Sequence, residues 1–424
     1  MSESKLTSDL RHVIYALSDA LDLVGIDDVA HGKRVGIMAC ECAKTMGLNT
    51  QESTFMFDLG MLHDIGVSST QTHMHLVTEF DWESSQGHAE VGFHLLQNYA
   101  PLAHLATPIR YHHTRWENLR HLISSELSAK QAQQANLIFL VDRVDAFASP
   151  YYGNSYLLEH VDEIRSKIQS YSGTYFDPEL VATFLEASKA EAFWLLLEPR
   201  SIQNYLQDLL SHGQTYQTSF DELWHLALIF SRIVDAKSPF TAEHSLGVAK
   251  LARYLAEKMG VNQDNCEKLE IAGLLHDLGK LRVPDEILDK PGKLDAHERH
   301  IINTHSFETY QILRNIKGFE DIALWAAYHH EEPGGLGYPF HVKEESLSLE
   351  ARILRVADIF QAMAQSRPYR AGLNADQVLA FMNDLVAKGR LDASIVAVAT
   401  ADMSGAMAAA LPTSAIKTTQ PSMN

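Results

Sequence analysis

His276-Asp277-Leu278-Gly279-Lys280 sets an imidazole and a carboxylate side by side, so that one turn of chain can serve two metal ions. Working outward, Glu243-His244 lies upstream, and Asn303-Thr304-His305, Tyr328-His329-His330, Gly337-Tyr338-Pro339 and Val356-Ala357-Asp358 follow. His244, His276, Asp277, His305, His329, His330 and Asp358 make seven potential ligands. A two-metal hydrolytic site needs imidazoles and carboxylates together, with one carboxylate spanning both ions. Adjacency gives the bridge to Asp277, with His244, His276 and Asp358 mainly on one ion and His305, His329 and His330 mainly on the other. Lys280 stands one turn beyond His276 if the helix continues, where an ammonium can neutralise a phosphate oxygen or steady a leaving group. The plain alternative is a lysine facing solvent.

The same layout occurs earlier in the chain. An interval of 32 residues separates His31 from His63 and His244 from His276; one of 24 separates His88 from His112 and His305 from His329. A tyrosine precedes each double histidine, in Tyr111-His112-His113 and Tyr328-His329-His330, and the steps from there to Asp142 and Asp358 differ by one residue, 29 against 28. A lone histidine is well explained as a packed core group. Matched order in two copies is better explained by duplication of a metal-binding layout. The first copy therefore offers His31, His63, Asp64, His88, His112, His113 and Asp142.

Local patterning is helical, and no convincing period-two alternation occurs. Apolar residues recur at three- and four-residue steps over Glu243–Met259, stopped by Gly260, and over His31–Met46, stopped by Gly47. Further helices are expected at Phe55–Leu62, Asn265–Leu275, His297–Arg314, Glu320–His330 and Leu349–Ala364, with a Pro/Gly-rich loop at Glu331–Phe340. The fold class is all-α, two tandem bundles. The expected boundaries are 1–158 for the first domain, 159–219 for closing helices and a connector, 220–400 for the second domain, and a mobile Ala/Ser/Thr-rich tail over 401–424.

A chain of 424 residues with 46% hydrophobic content can bury two cores without staples. No run of 18 apolar residues and no signal-peptide layout is present, so the reading is cytoplasmic with no membrane anchor. Cys40, Cys42 and Cys266 are too few for a disulfide framework and suit a reducing compartment. A formal charge of −19 disfavours DNA, RNA and anionic lipid as partners. A small phosphorylated substrate stays open, since bound cations can reverse the local field.

His276-Asp277-Leu-Gly-Lys280, His329-His330-Glu331, Gly337-Tyr338-Pro339 and Arg355-Val-Ala-Asp358, followed by Arg367-Pro-Tyr-Arg370, resemble the HD-GYP family of cyclic-dinucleotide phosphodiesterases over about Phe220 to Leu385. The resemblance implies helical HD domains, a bimetallic or trimetallic centre of iron or manganese, and hydrolysis of a 3′–5′ phosphodiester to a linear 5′-phosphorylated dinucleotide. Asp277 and Lys280 would then be catalytic, and Gly337, Tyr338, Pro339, Arg367 and Arg370 would shape the substrate site. Two arginines spaced by a proline suit bidentate phosphate contacts, with ordinary surface charges as the alternative. Phe240 stands where trimetallic members carry a glutamate, so two ions are expected. Gln361 stands where an acidic residue is common, and Glu331-Glu-Pro-Gly-Gly-Leu336 departs from the usual loop.

The first copy lacks these surroundings. Val67 replaces the lysine, no GYP triplet follows His113, and Tyr151 and Asn154 take the places of the arginines. Its expected role is a second metal centre, either a 5′-nucleotidase acting on the linear product or a structural HD domain. The tandem arrangement is similar to enzymes that degrade 3′,3′-cyclic GMP-AMP, with cyclic di-GMP close behind; a homodimer is compatible with either. Competing readings are a non-catalytic HD signalling scaffold and a general nucleotide phosphohydrolase. The ligands and Lys280 retained in the second copy disfavour the first, and Gly337-Tyr338-Pro339 with the arginines disfavours the second.

Overall fold

The computed structural model describes residues 8–24, 30–78, 80, 84–154, 156–212, 216–237, 243–366 and 371–412. Among these, every regular element is helical, and β-type pairing is limited to isolated bridges such as Asp9 with Gln217. The chain divides into two compact units, one of Asp9–Gln217 with Leu281–Glu286, the other containing Thr218–Lys280 and the chain from Ile287 onward.

In the N-terminal unit, helices His31–Thr45 and Thr50–Leu62 pack closely, with Ala129–Ala148 across them. Val35, Ile37, Met38, Phe57, Leu59 and Leu140 are fully buried at the centre. Each such side chain contributes about 1.5–3 kcal/mol on leaving water. Helix starts are set locally: Asn49 with Glu52 and Ser128 with Gln131 form reciprocal capping boxes. The C-terminal unit repeats the plan with His244–Lys258, Gln263–Leu275 and Leu349–Ala364, burying Val248, Leu251, Leu255, Ile271, Ile353 and Val356. The expected helix boundaries at these places agree within a few residues, and Glu331–Phe340 is a loop.

Four expectations need correction. The helix expected over 297–314 is two, Ala296–Asn303 and His305–Leu313, because the amide and hydroxyl of Thr304 both donate to the Ile301 carbonyl and tighten the turn. The helix expected to reach His330 ends at Ala327. The first domain does not stop at 158: segment 159–212, expected as closing helices and a connector, belongs to the N-terminal unit throughout, where Phe184, Phe193 and Trp194 form a buried aromatic cluster and the Tyr205 ring stacks on Phe57 with centroids 6.0 Å apart. Pro178 and Pro199 do break the helices there, each as the first residue of a new one.

The fourth concerns the tail, whose first part is ordered. Helix Met403–Ala410 follows Ala393–Ala401 and buries Ala406 and Ala410, while Tyr254 donates to Asp402 at 2.6 Å. Alanine is small enough to pack all round a helix, so no amphipathic stripe is needed. No single described helix is long and apolar enough to cross a membrane; these last two together reach that length only across a 97° bend.

Candidate functional site

Local folding delivers each ligand candidate of the C-terminal unit to one point. Glu243 adopts φ 67°, left-handed backbone uncommon outside glycine, and the chain enters its helix at His244. His276 closes the helix Gln263–Leu275, and a 3₁₀ turn over Leu278–Arg282 carries Gly279 and Lys280. A Cβ on Gly279 would lie 2.1 Å from the His305 carbonyl oxygen, so only glycine lets this turn press against the start of helix His305–Leu313. Asp358 comes from the middle of Leu349–Ala364.

The donors converge. His244, His276 and Asp358 form one group and His305, His329 and His330 another, the ligand atoms in each lying within 4.8 Å of one another; His276, Asp277 and His329 form a third. Asp277 lies between them. Its Oδ2 is 3.7 Å from His244 Nε2 and 3.2 Å from His276 Nε2, and its Oδ1 is 3.5 Å from His305 Nε2 and 3.7 Å from His329 Nε2. His305 Nε2 and His329 Nε2 are 3.2 Å apart. Two donors each about 2.1 Å from an ion and at right angles lie about 3 Å apart, so the spacing suits coordination.

The ring orientation is prepared. Nδ1 of His276, His305 and His329 donates to the carbonyl three residues back, on Gly273, Ile302 and Ala326, at 2.6–2.8 Å. This leaves Nε2 as the free lone pair, the tautomer a metal needs. His276 Nε2 and Asp277 Oδ1 are buried without a hydrogen-bond partner. Buried polar atoms are seldom left so, and an ion would satisfy them.

Charge within the site follows from these contacts. Burial favours a neutral Asp277, but the His276 ring and the Lys280 ammonium hold its carboxyl well below the usual range. Burial also favours a neutral His276, yet Asp277 and Asp358 outweigh it and lift the ring to about 8. Burial lowers His305 to about 4 and takes His329 and His330 well below their ordinary value. Most of the set thus rests in the form that binds metal, ionised carboxylates and neutral imidazoles.

Around these ligands, Lys280 Nζ donates to Asp277 Oδ2 at 2.5 Å. The Tyr338 ring lies over His330, centroids 4.8 Å apart. A Cβ on Gly337 would come within 2.4 Å of Glu331 Cα and Glu332 N, so the triplet folds back tightly on the double histidine, with Tyr338–Pro339 cis. Glu331 holds this loop by accepting from the amides of Phe340, His341 and Val342. Glu332 pairs with Arg355 at 2.9 Å. Arg367, Arg370 and Phe240 lie outside the described residues.

The first copy builds the same arrangement. His31, His63 and Asp64 form one group, and Asp64, His88, His112 and His113 another. Asp64 Oδ2 faces His31 at 3.8 Å and His63 at 3.4 Å, while Oδ1 faces His88 at 3.1 Å and His112 at 3.7 Å. Asp142 Oδ1 is 3.6 Å from His31 Nε2, as Asp358 Oδ1 is 3.4 Å from His244 Nε2. His63 Nε2 and Asp64 Oδ1 are buried without a partner, as His276 Nε2 and Asp277 Oδ1 are, and so are His88 Nδ1 and His113 Nε2. Val67, buried and apolar, stands where Lys280 does.

Sequence reasoning missed two supporting residues. Asp22 accepts from the amide of Gly32 at 3.0 Å, and Asp235 from the hydroxyl of Ser245 at 2.9 Å, steadying the helix starts at His31 and His244. The available signal was their position, each nine residues before the first histidine of its copy.

Comparison with known proteins yields the same division. The HD-domain family profile matches residues 29–148 and again 229–395. The chain is 37% identical over 392 residues to 3′3′-cGAMP-specific phosphodiesterase 1 of Vibrio cholerae, covering 91% of this chain and 90% of that one. It is 35% identical over 255 residues to 3′3′-cGAMP-specific phosphodiesterase 3 of the same organism, covering 60% of this chain and 55% of that one. A solved structure of a cyclic GMP-AMP-specific phosphodiesterase from V. cholerae shares the fold with a TM-score of 0.63 at 24% identity, covering 94% of this chain and 98% of that one.

Proposed function

The chain belongs to the HD-GYP family of HD-domain phosphodiesterases, and on that premise we propose that its C-terminal domain opens a 3′–5′ bond of a cyclic dinucleotide to give a linear dinucleotide with a 5′-phosphate. The observation that carries this reading is Asp277, whose two oxygens face two different groups of imidazoles. His244, His276 and Asp358 would hold one divalent ion, His305, His329 and His330 a second, and Asp277 would span them. Bound there, the ions supply an activated water at neutral pH and screen the phosphate charge. Iron or manganese is our choice; imidazole and carboxylate sets also accept nickel and zinc.

The chain's own residues perform the remaining work. Lys280 offers N–H groups beside Asp277, where a phosphate or leaving oxygen would develop charge. Tyr338, fixed on His330, forms part of the substrate floor, and Arg367 and Arg370 serve phosphate contacts. The relative matching over nine tenths of both chains acts on 3′3′-cGAMP, which favours 3′,3′-cyclic GMP-AMP over cyclic di-GMP here. Side-by-side turnover of manganese- or iron-loaded protein on these two and cyclic di-AMP tests the reading. No cleavage of any, with metal confirmed, overturns it.

We assign a second metal centre to the N-terminal domain, because its donors repeat the same geometry around Asp64. With Val67 in place of lysine, it suits a smaller phosphomonoester, such as the 5′-phosphate of the linear product. Phosphate release from that product should stop in Asp64→Asn; unchanged release would leave this domain a structural role. The three free, buried cysteines accord with a cytoplasmic setting.

A further inference from the structure

His276, His305 and His329, and likewise His63 and His112, spend Nδ1 on the carbonyl three residues back. His244 and His31, each the first residue of its helix, make a different contact. A side chain three residues beyond the aspartate ligand serves instead. Gln361 Oε1 lies 2.5 Å from His244 Nδ1, and Asp145 Oδ2 lies 2.7 Å from His31 Nδ1.

The two braces differ chemically, and their surroundings differ with them. Asp145 is clamped by Arg34, whose Nε and Nη2 donate at 2.7 and 2.9 Å, and by the Tyr152 hydroxyl at 2.5 Å. In the second copy the position of Arg34 is Gly247, three residues after His244 as Arg34 is three after His31. A Cβ on Gly247 would lie 2.3 Å from the Ala410 carbonyl oxygen and 2.9 Å from Gln361 Nε2, so no arginine fits. Without that cation, a fully buried carboxylate at 361 would be uncompensated, and the neutral amide takes its place.

We propose that Gln361 is a positioning residue that sets how firmly the C-terminal site holds the ion on its His244 side, making that ion more exchangeable than its counterpart beside Asp145. A carboxylate can only accept, so it fixes Nδ1–H on the ring and enriches Nε2 as a donor to metal. An amide accepts through oxygen but can also turn and donate through nitrogen. In that orientation Nδ1 becomes the acceptor, the proton moves to Nε2, and His244 is withdrawn as a ligand. The inference rests on the metal reading given under the proposed function.

The test uses the full chain with Asp64→Asn, so that manganese binding reports the C-terminal site, read by metal content during dialysis against graded chelator. Gln361→Glu, equal in shape, should retain manganese about 10-fold more tightly, within the range that such outer contacts command. Gln361→Ala, which leaves Nδ1 unpaired, should release it about 10-fold more readily. A merely structural role predicts loss in both, so gain in the glutamate variant is the discriminating result. Unchanged or weaker retention by Gln361→Glu with helicity intact overturns the proposal. If Gln361→Glu does not fold, retention by Gln361→Ala equal to that of Gln361 overturns it instead. Failure of the parent chain to bind manganese overturns the metal reading, and this inference with it.

Discussion

The Lys280 ammonium lies 2.5 Å from Asp277 Oδ2, the same oxygen that faces His244 and His276. A lysine so placed puts positive charge where a phosphate would meet the site. Lys280→Met should lower kcat on 3′,3′-cyclic GMP-AMP by about 100-fold or more while metal content stays near that of Lys280. Steady-state kinetics beside elemental analysis separates the two effects. A change in metal content alone would make the lysine a partner of the carboxylate and nothing more.

Two matched sites in one chain allow their roles to be separated by single substitutions. Asp277→Asn should reduce opening of the cyclic dinucleotide by about 1,000-fold or more, since the carboxylate spanning both donor groups is lost. Asp64→Asn should leave that opening within about 2-fold and remove metal from the N-terminal domain only. Chromatographic assay of cyclic and linear dinucleotides reads both.

Gly337→Ala tests the loop that follows the double histidine. Its Cβ would fall 2.4 Å from Glu331 Cα and Glu332 N, backbone that Glu331 itself ties down through three amides. Overpacking of this kind costs about 1–3 kcal/mol. The expected result is a raised KM, because Tyr338 is displaced; metal content measured beside it reads whether His330, whose carbonyl oxygen would lie 2.5 Å from the new Cβ, moves too.

Burial lifts the Asp58 carboxyl to about 6 against the pull of Arg11 and the Tyr15 hydroxyl. A raised acid binds its proton more tightly in the folded chain than in the unfolded one. Stability from this group is therefore full below about pH 4, is lost as pH rises to about 6, and is level above that. Asp58→Asn removes the titration. Its stability relative to the parent should rise between pH 4.5 and 7 by on the order of 1 kcal/mol, allowing for partial solvent access, as read by denaturant unfolding at both values.

The histidine intervals made the duplication and both donor sets legible, because a metal site fixes residue type and spacing together. His31 and His63 meet as His244 and His276 do, with ring centroids 5.2 and 5.3 Å apart. What the sequence hid depends on packing rather than pattern. Lys280 turns onto Asp277 through a 3₁₀ turn, a choice the sequence left open. Segment 159–212 read as closing helices and a connector, and only the fold shows Tyr205 meeting Phe57. Gln361 stood out as a departure from the family, but its contact with His244 spans 117 residues, and no local rule foretells it.

Helix Met403–Ala410 supplies no ligand, yet its Ala410 carbonyl closes the space beside Gly247, against which the Gln361 amide rests. Anyone trimming this protein to a minimal catalytic fragment would be tempted to stop near residue 395, where the HD-domain match ends. That cut would spare every candidate ligand and remove the carbonyl that fills the space beside Gly247, next to the Gln361 amide. A shortened chain should keep helix Met403–Ala410.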